Sequence, residues 1–150
     1  MTADPTRSRN LRYADEITSA DVRTLVAFLN DRLRPHWEAA EGNREAWAVA
    51  HGLVGLVSEI HGILEQAVER RTGPEALVRR RAVRLEWNRL VRLARGWSGH
   101  DEYDHERWRQ TPFLNPQEEA EWEEMRAQII ARAEAGEQLP GEDRATGEDV

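Results

Sequence analysis

The segment Ala46 to Val68, AWAVAHGLVGLVSEIHGILEQAV, constrains this chain more than any other stretch. It is the longest apolar run in a sequence in which 33% of residues are charged. Between Ala46 and Leu64 the one formal charge is Glu59. Helical spacing puts Val49, Leu53, Leu56, Ile60, Ile63 and Ala67 on one face, and Trp47, Ala50, Val54, Val57, Leu64 and Val68 on the next. A helix apolar around so much of its circumference needs cover on most sides, so the other segments are expected to wrap it. A narrow strip remains, formed by His51, Gly55, Ser58 and Gly62. Each glycine costs about 1 kcal/mol relative to alanine in a helix interior. Such small residues are expected to admit a second helix at close range, from the same chain or from a homodimer partner. The histidines, Ser58, Glu59 and the glycines argue against a membrane span, and no membrane partner is expected.

The flanking segments repeat the helical pattern. Thr18 and Asp21 have capping-box spacing, with Ile17 placed to staple onto Val22. Val22, Val26, Leu29, Leu33 and Trp37 then recur on one face, which predicts a helix over 18–40 with a kink or break at Pro35. Asn43 is placed to cap the central helix, predicted over 43–71. Thr72 and Glu75 again have capping-box spacing, with Pro74 in the first turn of a helix over 74–97. Asn115 and Glu118, with Pro116 at the first helical position, open a last helix over 115–136, whose stripe is Trp122, Met125, Ile129 and Ala133. No β pattern or internal repeat is present. The expectation is an all-α, four-helix bundle-like fold. A disordered arm is expected over 1–13, one helical domain over 14–136 and an acidic disordered tail over 137–150.

Charge is unevenly distributed. Every one of the 21 basic residues is arginine. Nine of them fall in residues 70–98 against two acids, while residues 115–150 hold eleven acids against three arginines. A basic helix beside an acidic one is the simplest consequence. The alternative is a nucleic-acid interface on the third helix, where Arg81, Arg84, Arg92 and Arg95 share a side suited to phosphates. The net charge of −7 disfavours that alternative. The six tryptophans are spread along the apolar stripes, a pattern of core usage.

Few residues offer chemistry. Without cysteine there is no thiolate or disulfide chemistry, and the N-terminus has no secretory signal, so a cytoplasmic location is expected. The connector HDEYDHE, residues 100–106, is the densest set of metal-ligand types, with His100, Asp101, Asp104 and His105 as candidates for a metal-dependent enzyme. Their spacing fits no standard site, and Asp101 and Asp104 are equally suited to capping a turn. Ser58, in mid-helix, lacks the strained turn of a serine nucleophile, and no glycine-rich loop follows a strand. No cofactor is expected, and a non-enzymatic protein-interaction or accessory module is the reading that remains.

One stretch carries a resemblance. Residues 87–108, WNRLVRLARGWSGHDEYDHERW, are similar to an element of small uncharacterised actinobacterial helical proteins. In those, a helix with a tryptophan and a Leu-Ala pair is followed by His-Pro-Asp-Tyr-Asp and a final tryptophan. Trp87, Leu93, Ala94, His100, Tyr103, Asp104 and Trp108 match that pattern. Asp101 and Glu102 replace the proline and the first aspartate. The resemblance implies a shared fold element and an actinobacterial source type, and no activity.

Overall fold

The computed structural model describes residues 10–136. The protein is all-α and bundle-like, as expected. Its helices are α1 (Ser19–Ala39), α2 (Arg44–Glu69), α3 (Ala76–Ala94) and α4 (Pro116–Glu134). Single 3-10 turns occupy Ala14–Glu16 and Arg95–Trp97. The chain forms two compact units, divided between Leu114 and Asn115.

Capping explains where most helices begin. The Thr18 side chain accepts from the Asp21 amide, and the Asp21 carboxylate accepts from the Thr18 amide at 2.9 Å, so the capping box is complete. Asn43 caps the Ala46 amide and Asn115 the Glu118 amide. The Thr72–Glu75 box does not form. Glu75 is the cap residue of α3 and makes no side-chain cap bond, so α3 starts two residues later than predicted. Pro35 lies inside α1 without ending it. Between α1 and α2 the backbone turns at Gly42, whose φ of 85° is strained for residues with a Cβ.

In the first unit α2 packs against α1 and α3, and α1 touches α3. The core holds Leu25, Leu29 and Leu33 of α1, Val57 and Leu64 of α2, and Val83, Trp87 and Leu90 of α3. The remaining cover is irregular chain. Leu11 is buried, its amide donating to the Glu106 carbonyl at 3.0 Å, and Ala14 and Asp15 donate to the carbonyls of Phe113 and Leu114. Residues 10–13 therefore pack in the fold and are not a disordered arm, because their backbone groups pair with the connector. Residues 1–9 and the expected tail over 137–150 lie outside the described residues.

The connector, residues 98–114, is the second irregular piece. Phe28 of α1 meets Trp108 at 4.7 Å between ring centroids and Tyr103 at 5.9 Å. Trp87 donates its indole N–H to the Arg109 carbonyl at 2.8 Å. Asn88 clamps buried Thr111, donating to its carbonyl at 3.0 Å and accepting from its amide at 2.8 Å. These contacts bind the connector to α1 and α3.

A charged clamp locks the start of α1. Arg107 grips Asp21 with a two-point fork, Nε to Oδ1 at 3.0 Å and Nη2 to Oδ2 at 2.7 Å. Arg71 donates to the Asp15 carbonyl at 2.7 Å and to the Ile17 carbonyl, while Arg80 pairs with the Asp15 carboxylate. Burial alone raises an aspartate. Here the Arg107 fork, with the amide and hydroxyl of Thr18, outweighs it and holds the Asp21 carboxyl below its usual range. Burial pulls the Arg71 guanidinium down.

The second unit contains α4. Its stripe forms as spaced, but none of its residues is buried, and Trp122, Met125, Ile129 and Ile130 are exposed.

Candidate interaction surface

The central helix is not wrapped. Its buried residues are Ala50, Val57, Ile60, Leu64 and Ala67, which form a single face. Val49, Leu56 and Ile63, expected to be covered, are 61%, 46% and 41% exposed. They follow one another at seven-residue spacing along the edge of the buried face. Trp47 is exposed as well. The reason is what supplies the cover. Within the first unit α1 and α3 are the helices that reach α2, and the connector closes over α1 and α3. The side of α2 turned away from both is left open by that unit.

The small-residue strip lies on this open side. His51, Gly55, Ser58 and Gly62 are all exposed. A Cβ built on Gly52, Gly55 or Gly62 meets nothing within 4 Å. These glycines therefore do not serve close packing inside the chain. The His51 ring stacks on Trp47 at 4.7 Å and 11°. His61, one of the two histidines of the helix, instead meets Glu65 at 3.1 Å. On the other side of α2, near its start, an apolar groove of about 570 Å³ is lined by Leu33, Val49, Leu53 and Trp97, among others. Among the described residues α2 is the one helix long and apolar enough to cross a membrane, and only 22% of its most apolar window is buried.

Two of the four connector candidates, His100 and Asp104, have polar partners within the fold. His100 faces the Arg32 guanidinium through Nε2 and packs edge-on against Phe28. Its Nδ1 meets the Glu102 amide at 3.3 Å. Asp104 caps the following turn, accepting from the amides of Glu106 and Arg107 at 3.0 and 2.9 Å. His105 lies against Tyr103 at 4.8 Å, and Asp101 is exposed. Among the described residues no three His, Asp or Glu side chains converge as a metal site.

The arginines of α3 divide. Arg84 donates to the Pro112 carbonyl at 3.2 Å and Arg92 to the Asn88 carbonyl at 3.3 Å. Arg81, Arg92 and Arg95 are exposed and Arg84 half-exposed. Val78 and Leu85 are 69% and 50% exposed among them. Of the six tryptophans only Trp87 and Trp108 are buried; Trp37, Trp47 and Trp122 are exposed, so core usage holds for a minority.

The exposed half of α2 escapes sequence reasoning because the two apolar faces look alike. No protein-family model matches the chain, and no curated protein or solved structure matches it either.

Proposed function

We propose that this chain is a non-enzymatic protein-interaction or accessory module of the cytoplasm, and that its docking surface is the solvent-facing side of α2. The observation that carries this reading is the exposure of Trp47, Val49, Leu56 and Ile63 on the most apolar helix of the chain. Val49, Leu56 and Ile63 recur at seven-residue spacing, a row of exposed apolar side chains of the kind that marks an interaction surface. The side chains with catalytic potential are committed elsewhere: His100 to Arg32, Asp104 to a turn, Asp21 to Arg107. The test is site-specific photo-crosslinking in cells, with a photoreactive residue at Leu56 and a control at exposed Arg23 of α1. Protein adducts at position 56 and not at 23 support the reading. No protein adduct at 56, or adducts that appear equally at 23, sinks it. Flotation of the purified protein with anionic or neutral vesicles replaces it with a membrane role for α2.

A second reading rests on the exposed arginines of α3, which present positive charge to solvent at 81, 92 and 95. It requires salt-dependent binding to DNA or RNA that reversal of Arg81, Arg92 and Arg95 abolishes. Binding that survives the reversal removes it.

A further inference from the structure

We infer that the occupant of the α2 face is a second copy of this chain, whose α2 lies antiparallel across a two-fold axis between Leu56 and Val57. The inference rests on the docking role of that face and names what docks there.

The argument is one of self-complementarity. A two-fold interface must match itself, so that whatever residue i meets at j, j meets at i. The open side of α2 carries its charges at its ends, Arg44-Glu45 at the start and Glu69-Arg70 at the finish, with Glu59 as the one formal charge between Ala46 and Leu64. All five residues are exposed, and none makes a side-chain ion pair or hydrogen bond among the described residues. Antiparallel pairing about the midpoint sets Arg44 opposite the partner's Glu69, and brings Glu45 within two residues of the partner's Arg70. Parallel pairing sets Arg44 against Arg44 and Glu69 against Glu69, which is repulsive at both ends. Charge thus selects both the occupant and its direction.

Shape agrees with charge. In the antiparallel register His51, held by its stack on Trp47, faces the partner's Gly62, and Gly55 faces the partner's Ser58. Each bulky group meets a position where nothing lies within 4 Å of an added Cβ. Glu59 lies at the edge of the strip, where the two copies of it approach to about 7 Å along the axis at 1.5 Å rise per residue. That like-charge contact weakens the pair.

The expected affinity is modest. A 26-residue helix is about 39 Å long and about 10 Å across, so the strip offers about 400 Å² per copy, near half of a standard interface. The dimer therefore belongs to the weak, concentration-dependent class.

Sedimentation of the full chain from micromolar to near-millimolar concentration reads the state directly. The expected result is a shift from 17.3 kDa toward twice that mass. Glu69→Arg weakens association about tenfold, and Arg44→Glu added to the same chain restores it, since the end pairs are then re-formed with signs exchanged. Gly55→Leu abolishes association while circular dichroism stays helical, because the added side chain enters open space in the single copy. The chain has no cysteine, so single-cysteine variants report proximity cleanly. Oxidation crosslinks Ser58→Cys, near the axis, and leaves Thr72→Cys, beyond the end of α2, uncrosslinked. A chain that stays monomeric overturns the self-pairing and leaves the docking role to the photo-crosslinking result at Leu56. A dimer that crosslinks at Thr72 and not Ser58, or that the charge exchange does not restore, also overturns it.

Discussion

The connector and the central helix exchange the roles that their compositions suggest. The connector is crowded with histidine, aspartate, glutamate and arginine, yet Tyr103, Trp108, Thr111 and Leu114 within it are buried. The central helix is nearly free of charge over half its length, yet most of its circumference faces solvent. Burial followed the availability of partners. The connector offers backbone groups that Leu11, Ala14, Asp15, Trp87 and Asn88 satisfy, and its aromatic rings pack tilted and edge-on against Phe28. The backbone of α2 is paired within its own helix, so its outer side offers no backbone group that draws the rest of the unit to it.

The sharpest way to break this comparison is to cut the connector's clamp. Asp21 is 4% exposed and Arg107 12%, so Asp21→Asn strands a buried guanidinium and is expected to destabilise the protein by about 3–5 kcal/mol in urea unfolding. The pH dependence has the matching sign. A carboxyl held below its usual value contributes stability that is fully present above the unfolded value of about 3.9 and lost as pH falls through the lower folded value. Asp21→Asn is expected to lose that component of acid sensitivity, read as a flatter stability profile below about pH 4.

Smaller effects sharpen the contrast along α2 itself. Leu64→Ala, at a fully buried position, is expected to cost about 2–5 kcal/mol. Gly52→Ala is expected to stabilise the monomer by up to about 1 kcal/mol, since the added methyl meets no atom and alanine favours the helix. Leu56→Ala is expected to change monomer stability by no more than about 0.5 kcal/mol in the same urea measurement. A large loss at Leu56 at low concentration places that residue in the core and removes the open face.

Much of the helical framework is legible in the residues, and for local reasons. Thr18 with Asp21, Asn43 and Asn115 are caps that depend on three or four neighbouring positions, and all three form. The Thr72–Glu75 pair has the same spacing and does not cap, because its outcome depends on the surrounding chain. Which apolar face of α2 becomes core is less legible still. It depends on how α1 and α3 pack on α2, which no local pattern in α2 itself records. The candidate residues His51, Gly55, Ser58 and Gly62 stand out locally as a strip, while their accompanying Val49, Leu56 and Ile63 emerge only from the packed unit.

The Arg107–Asp21 fork joins positions 86 residues apart. On the ribosome the start of α1 is made early and its counter-ion late. Until Arg107 clears the exit tunnel, Asp21 lacks the guanidinium fork, and the turn at Ala14–Glu16 lacks the carbonyls of Phe113 and Leu114. The first unit therefore closes as a whole after its synthesis, with loop closure over nearly its full length as the slow step. Its helices form locally and early, and the clasp that makes them one folded body is the last part to assemble.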